Sequence, residues 1–231
     1  ALRALEVICL EYARRYGYDD VFVPTVSDQW MGAFPYDESR ANAVIAMGAV
    51  IPHFGGATQV VTKSAQEAGG IPTKEANAAG AGLTKTILTM LEGVARGTSP
   101  ELALEQRMIE AEARAIVDRT IALGDGDVAV GVVRAFRAGV LDVPWSPNLE
   151  NQNLVMPVRD GRGAVRYLYA GNVPLPPEVR AYNDTMLAER GRAEGREPVL
   201  DWALADVSAV ARGLLIGTGR RWEDAWRAPR P

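Results

Sequence analysis

Apolar and polar positions in the first 97 residues predict helices and short strands that alternate along the chain. The helical stretches place apolar residues three or four positions apart, whereas the strands are short runs rich in β-branched residues. In order, the predicted elements are a helix from residue 2, a strand at 21–26, a helix at 39–51 stopped near Pro52, a strand at 57–62 and a helix at 73–91. This alternation is typical of parallel βα units, so the sequence predicts an α/β fold for this part.

The pattern changes after the loop at 97–100, where helices and one hairpin replace the alternation. The predicted elements are helices at 101–123 and 128–138, a hairpin of strands 155–158 and 165–169, and helices at 177–194 and 199–216. We therefore expect an α/β part at 1–97 and an α+β extension at 98–231.

The predicted α/β part has few strands for its fold class. Two parallel strands do not bury a sheet on their own, because such sheets need both faces covered and further neighbouring strands. The first helix also lacks a preceding Ser, Thr, Asp or Asn to cap its amide groups. We expect the chain to be a portion of a longer protein that continues upstream of Ala1. A frayed start left by processing is the alternative.

Composition and charge narrow the classes of function. The chain has 231 residues, of which 48% are apolar and 23% charged, as in ordinary globular proteins. Its net charge of −4 gives no reason to expect nucleic acid as a partner. No apolar run reaches the ~18 residues that cross a membrane. The single cysteine, Cys9, excludes a disulfide framework and fits a reducing compartment, so we expect a cytoplasmic protein.

Most standard catalytic motifs are absent from the sequence. It contains no phosphate-binding loop, no nucleophile elbow and no C-x-x-C pair. The one histidine, His53, cannot form a metal site that needs several His or Cys ligands. We therefore expect His53 to be an ordinary residue at the end of a helix, and we expect no metal site in this chain.

A lysine and a glutamate, Lys63 and Glu67, lie at the carboxyl end of the second predicted strand, where α/β folds bind ligands. Being four residues apart, they can converge on a polar ligand such as a sugar diol, which both donates and accepts hydrogen bonds. Ser64 and Glu67 also have the spacing of a capping box, in which Glu67 satisfies a backbone amide. Spacing alone favours the capping box and leaves the binding interpretation open.

Two further groups of residues carry weaker signals. Trp30, Met31 and Phe34 follow the first predicted strand and can line an apolar pocket, although packing of the loop is the favoured interpretation. Around the predicted hairpin, a solvated turn is favoured over an anion site for three arginines: Arg159, Arg162 and Arg166.

Several uncommon strings closely resemble the large (epsilon) subunit of glutamate mutase, also called methylaspartate mutase. The strings are residues 21–35, the Gly-Ala-Thr-Gln-Val run at 56–60, and the segments 70–80, 139–144, 156–160 and 165–168. The resemblance covers nearly the whole chain and weakens only after about residue 217.

This resemblance implies a fold, a reaction and partners. The fold is α/β, the C-terminal part of a TIM-type (β/α) barrel followed by an α+β C-terminal extension. The reaction is the adenosylcobalamin-dependent radical isomerisation of L-glutamate to threo-3-methyl-L-aspartate, in glutamate catabolism. The partner is a small (sigma) subunit that binds the cobalamin and ligates its cobalt, in a heterotetramer with a dimer of large subunits.

The resemblance also assigns residues to the coenzyme site. In the family, a lysine and a glutamate at the positions of Lys63 and Glu67 hold the ribose of the adenosyl group, and the residues matching Phe34 and Ile71 line the same site. This role agrees with the independent interpretation of Lys63 and Glu67 as a diol site. The resemblance therefore favours the binding interpretation over the capping box. No catalytic residue is assigned, because the family's substrate-binding residues lie in the first part of the barrel, outside this chain.

For the same reason we expect the chain to be inactive by itself. Two alternatives stay open. One is a related cobalamin-dependent mutase that acts on another amino acid, and the other is a truncated, non-catalytic paralogue that keeps the scaffold and the subunit-binding surface.

Overall fold

The computed structural model describes residues 1–212 and Leu214. The described chain divides into two compact units, the first mainly Ala1–Glu110 and the second mainly Ala111–Ala209. Each unit combines helices with a two-stranded sheet, so the described protein is mixed α/β. The predicted domain boundary after residue 97 stays a prediction.

The first unit contains its helices and strands in the predicted order. They are α1 (Leu2–Arg15), β1 (Val26–Asp28), α2 (Glu38–Gly55), β2 (Gln59–Val61) and α3 (Lys74–Met90), with a 3₁₀ turn at Glu67–Gly69. β1 and β2 pair in parallel, with Val26 opposite Gln59 and Asp28 opposite Val61. A parallel βα arrangement, as predicted, therefore forms between these two strands.

The first strand begins later than predicted. The predicted run at 21–26 overlaps β1 only at Val26, because its partner β2 is just three residues long. Pairing starts where the carbonyl of Thr25 accepts hydrogen bonds from the amides of Thr58 and Gln59.

The second helix extends past the residue predicted to stop it. Pro52 lies inside α2, which continues to Gly55 and ends at Gly56 in the left-handed conformation, with φ of 78°. A proline removes one intrahelical hydrogen bond. Here the Pro52 side chain is fully buried, and the Pro52 carbonyl still accepts a hydrogen bond from the amide of Ala57.

Gln29, the residue after β1, is a buried amide that joins four elements of the first unit. Its Nε2 donates to the Ile45 carbonyl in α2 at 3.2 Å and to the Thr84 hydroxyl in α3 at 3.0 Å. Its Oε1 accepts from the Thr62 hydroxyl at 3.2 Å and from the Lys63 amide at 2.9 Å, just after β2. A glutamine offers two donors and two acceptor positions, so this side chain is fully satisfied although it is only 2% exposed.

Gly80 lets α3 pack directly against the chain that leaves β2. A Cβ added at Gly80 would lie 2.1 Å from the carbonyl oxygen of Lys63, which is backbone and has no flexible end to move aside. Oγ1 of Thr62 lies 3.3 Å from the Gly80 carbonyl oxygen across the same contact. The position of Lys63 therefore depends on a glycine 17 residues further along the chain.

In the second unit, helices surround an antiparallel hairpin. The remaining elements of the described chain are α4 (Pro100–Leu123), which begins in the first unit, α5 (Val128–Ala138), β3 (Val155–Arg159), β4 (Val165–Ala170), α6 (Pro177–Glu194), α7 (Leu200–Ala209) and a 3₁₀ turn at Val210–Arg212. β3 and β4 confirm the predicted hairpin, and their register shifts between Met156 and Pro157. The predicted last helix, 199–216, corresponds to α7, and its end and the tail lie outside the described residues except for Leu214.

The core of the second unit combines apolar packing with a buried ion-pair network. Val158, Leu187 and Trp202 form the apolar cluster. Beside it, Arg190 pairs with Asp206 at 2.9 Å and with Glu194 at 2.8 Å, and its guanidinium lies 4.1 Å from the centre of the Trp202 ring. No sequence motif predicted this network.

A half-buried carboxyl–phenol pair links α4 to the hairpin within the second unit. The Tyr167 hydroxyl in β4 donates to Oε1 of Glu112 in α4. Burial raises the pKa of Glu112 from its ordinary value, although the Tyr167 hydrogen bond and the nearby Arg166 charge lower it in part. Burial also raises the pKa of Tyr167, which keeps its hydroxyl protonated as a donor.

The contact at Gly80 predicts opposite effects of the same substitution at two positions of α3. Gly80→Ala should lower the free energy of unfolding by about 1–3 kcal/mol, because a methyl group there overlaps the Lys63 carbonyl. Gly82→Ala is the matched control: nothing lies within 4 Å of its added Cβ, and alanine is favoured in a helix by up to about 1 kcal/mol. Urea unfolding followed by circular dichroism measures both. Equal effects of the two variants would contradict the proposed contact.

The raised pKa of Glu112 predicts a pH-dependent loss of stability. As the pH rises above the ordinary glutamate value of 4.5, the unfolded chain releases a proton that the folded protein still holds, so stability falls until the pH passes the folded pKa. Glu112→Gln, which has no such proton, should therefore show a smaller fall between about pH 4 and about pH 7. Unfolding free energies across that range test this, with Glu189→Gln, at an exposed site in α6, as the control. Parallel curves for wild type and Glu112→Gln would show the expectation to be wrong.

Candidate functional site

The parallel pairing of β1 and β2 brings polar residues to one edge of the small sheet. Asp28 is the last residue of β1, opposite Val61, and Lys63 follows the end of β2 by two residues. Parallel strands present their carboxyl ends at the same edge, which is where α/β proteins bind ligands. The register therefore places Asp28 beside the segment that carries Lys63 and Glu67.

Lys63 lies between two carboxylates at this edge. Its Nζ is 3.5 Å from Oδ1 of Asp28 and 3.7 Å from Oε1 of Glu67. The Lys63 side chain is only 13% exposed, whereas the Asp28 and Glu67 side chains are 38% and 34% exposed. The ammonium is thus largely enclosed, and both carboxylates keep a face toward solvent. We call Asp28, Lys63 and Glu67 the carboxylate–lysine cluster.

The backbone of the cluster is fixed from behind. The Lys63 amide donates to the Gln29 side chain, and its carbonyl packs against Gly80. A ligand at this edge would therefore meet a lysine whose main chain is held by β1 and α3 and whose ammonium has three donors.

The capping box does not form. The Ser64 hydroxyl accepts from the amide of Gln66 at 3.2 Å, and the Glu67 amide donates to the Ser64 carbonyl at 3.2 Å. In the described part of the chain, the only partner of the Glu67 carboxylate is Lys63. A capping box needs a regular helical turn, and this segment is a 3₁₀ turn of three residues, so the carboxylate is not used as a cap.

Phe34 and Ile71 lie on either side of the segment that carries Glu67. Phe34 is 7% exposed and belongs to the core of the first unit, where Ala65 and Ala68 pack against it. Ile71 is fully exposed and lines a pocket of about 290 Å³ together with Tyr36, Gln66 and the same two alanines. The structure thus places both predicted residues near the segment 65–69, with Phe34 buried in the core and Ile71 exposed, and their role in a coenzyme site stays a prediction.

Two other candidate residues, His53 and Arg166, have structural partners. His53 lies near the end of α2, as predicted, with its Nε2 3.3 Å from the Val94 carbonyl. Arg166 is buried and paired with Asp160 at 2.8 Å, so it is part of the hairpin rather than of the predicted solvated turn. Arg159 is also partly buried, and burial lowers its pKa.

The described residues contain neither a candidate metal cluster nor a helix fit to span a membrane. No group of three or more His, Cys, Asp or Glu side chains is placed to hold a metal ion in that part of the chain. None of its helices is both long and apolar enough to cross a bilayer.

Two residues of the site were not found from the sequence. Asp28 is the last residue of β1 and Gln29 follows it, and together they hold the ammonium and the amide of Lys63. The available signal was a pair of polar residues at the end of one strand, β1, which neighbours the strand that precedes Lys63. Using that signal requires the register of the two strands, which the sequence does not supply.

Comparisons with known proteins point to one family. The family model described as "Methylaspartate mutase E chain (MutE)" matches residues 1–219. The glutamate mutase epsilon subunit of Desulfitobacterium hafniense is 49% identical over 220 residues, which cover 95% of this chain and 46% of that protein. The corresponding subunit of Escherichia coli O157:H7 is 44% identical over 217 residues, covering 94% of this chain and 45% of that protein.

The likeness extends to an archaeal relative. The glutamate mutase epsilon subunit of Haloarcula marismortui is 42% identical over 219 residues, covering 94% of this chain and 44% of that protein. The chain therefore spans about half the length of the curated relatives it matches. A family model that covers nearly the whole chain, together with these identities, shows that the chain belongs to the methylaspartate mutase E chain family.

Proposed function

We propose that this chain serves in the large (epsilon) subunit of an adenosylcobalamin-dependent glutamate mutase, which isomerises L-glutamate to threo-3-methyl-L-aspartate. The observation that carries the proposal is the match to the E chain family over residues 1–219. The carboxylate–lysine cluster supports it, because the cluster lies at the ligand-binding edge that the parallel strands create.

The cluster fits the ribose of the adenosyl group. A vicinal diol offers hydroxyl groups that both donate and accept, and the cluster offers an ammonium with three donors beside a carboxylate with acceptor oxygens. We propose that Lys63 and Glu67 hold the ribose, and that Ile71 and Phe34 line the same site, Ile71 from the adjacent pocket and Phe34 through the wall it supports.

When bound, the cofactor supplies a carbon-centred radical through homolysis of its cobalt–carbon bond. The chain's own residues would bind and orient the ribose. Lys63, with its amide fixed by Gln29, would donate hydrogen bonds from its ammonium to the sugar hydroxyls. Packing of Ala65 and Ala68 against Phe34 would support the same wall and exclude water from it.

The proposal extends to the fold and the partner. We propose that residues 1–97 form the C-terminal part of a TIM-type (β/α) barrel and that residues 98–231 form an α+β extension. In the described chain, β1 and β2 pair only with each other, and strands of a closed barrel have neighbours on both sides. The proposed partner is a small (sigma) subunit that ligates the cobalt, in a heterotetramer with a dimer of large subunits, and the proposed location is the cytoplasm.

Because the chain spans about half the length of its relatives, we propose that it has no mutase activity alone. Substrate recognition would then depend on residues outside this chain. If the assembled enzyme converted a different amino acid and left L-glutamate unchanged, the related mutase would be the correct assignment.

The proposed ribose contacts predict a selective loss of coenzyme affinity. In the large subunit assembled with the small subunit, Lys63→Ala and Glu67→Ala should each raise the Kd for adenosylcobalamin about 10- to 100-fold, as expected for lost hydrogen bonds to charged groups. As the affinity falls, turnover of L-glutamate to 3-methylaspartate should fall, and so should the cob(II)alamin signal in electron paramagnetic resonance.

The matched control is Lys74→Ala, whose side chain is 92% exposed and pairs only with Glu75 in the described chain. It should leave affinity and turnover unchanged. Normal affinity and turnover in both cluster variants would remove the ribose assignment. Absence of any methylaspartate from the assembled wild-type enzyme would remove the proposed activity.

A further inference from the structure

Lys63 has a second carboxylate beside it that the proposed ribose contact does not use. Asp28 Oδ1 lies 3.5 Å from the ammonium, slightly nearer than Glu67 Oε1 at 3.7 Å. These are the two ion pairs of Lys63 within the described residues. The proposed function gives roles to Lys63 and Glu67 and leaves the presence of Asp28 unexplained.

A ribose contact changes the charge balance around Lys63. A Glu67 carboxylate that turns to accept hydrogen bonds from sugar hydroxyls moves its charge away from the ammonium. The Lys63 side chain is only 13% exposed, and an enclosed ammonium that loses its counter-charge is destabilised because water cannot fully replace it. A second carboxylate that stays beside the Lys63 ammonium keeps a counter-charge there and so avoids this destabilisation.

The two carboxylates differ in how firmly their backbones are held. Asp28 is the last residue of β1, paired with Val61, and the next residue, Gln29, is anchored in the core by four side-chain hydrogen bonds. Glu67 begins a three-residue 3₁₀ turn, which has no strand partner among the described residues to hold its backbone. Glu67 is therefore the carboxylate that can turn, and Asp28 is the one that stays.

Two consecutive residues, the last of β1 and the one after it, thus hold both ends of Lys63. Gln29 accepts from its backbone amide, and Asp28 faces its ammonium. The end of β1 therefore gives the lysine two contacts that do not involve Glu67.

We propose that Asp28 is a positioning residue, which retains the Lys63 ammonium when Glu67 exchanges its ion pair for the ribose hydroxyls of the nucleoside group. This inference rests on the proposed function, since it takes the ribose as the ligand of Lys63 and Glu67. It adds Asp28 to the site as a third residue. It also implies that ligand binding breaks the ion pair between Lys63 and Glu67.

The test measures Kd values for two cobalamins in the assembled large and small subunits, by titration followed by absorbance. Adenosylcobalamin carries the ribose, whereas methylcobalamin has the same corrin and no sugar on the upper face. Asp28→Asn should raise the Kd for adenosylcobalamin about fivefold, the size expected for one partly exposed ion pair, and leave that for methylcobalamin unchanged. Asp28→Glu, which restores the charge, should recover most of the affinity.

The control for the substitution is Asp125→Asn. Asp125 also forms an exposed ion pair, with Arg134 at 2.6 Å, and lies in the second unit. Its φ of 51° is in the left-handed region, which asparagine also adopts, so the variant should bind both cobalamins normally.

A further pair of variants separates this inference from the proposed function. Lys63→Met should remove the dependence on the ribose, and Asp28→Asn added to it should cause no further loss, because Asp28 acts through Lys63. If Lys63→Met leaves the preference for adenosylcobalamin intact, the ribose site itself is wrong. Suppose instead that Lys63→Met removes that preference. The positioning role alone is then overturned if Asp28→Asn leaves the Kd for adenosylcobalamin unchanged, or if it raises the Kd values for both cobalamins equally.

Discussion

The side-chain amide of Gln29 must find partners for two N–H donors and a carbonyl oxygen at a position that is 2% exposed. α2, α3 and the residues after β2 supply them. An unsatisfied buried amide costs about 1–3 kcal/mol, so the network forms only when all three segments are in place around the end of β1. The position of Lys63 follows from that requirement, since its amide is one of the donors. A single buried glutamine thereby couples the packing of the first unit to the geometry of its candidate site.

Small residues make this arrangement possible. A Cβ at Gly48 in α2 would lie 2.8 Å from Cγ of Gln29, and one at Gly80 in α3 would lie 2.1 Å from the Lys63 carbonyl. The two helices therefore approach the strand ends closely at the points where the glutamine and the lysine need room. The alanine- and glycine-rich composition of these helices is, at these two positions, a steric condition for the site.

The sequence predicted the order of elements well, because hydrophobic period and β-branched runs report on local structure. α5 and α6 have their predicted bounds of 128–138 and 177–194. The errors arose where a distant partner decides the outcome: β1 begins at Val26 because β2 is short, and α2 continues past Pro52. Of the candidate site, Lys63 and Glu67 could be predicted from their position after a strand. Asp28 and Gln29 could not, because their contact with Lys63 depends on the register between two strands.

Two charged clusters among the described residues show why ion pairs alone do not identify a site. In the second unit, the side chains of Arg190, Asp206 and Glu194 are 5%, 7% and 12% exposed, so the guanidinium and both carboxylates are enclosed and serve the fold. In the first unit, Lys63 is similarly enclosed at 13%, but its carboxylates are 38% and 34% exposed. An enclosed cation with open counter-ions can exchange one of them for a ligand without leaving its position. That asymmetry in exposure, and not the charges themselves, distinguishes a binding arrangement from a structural one.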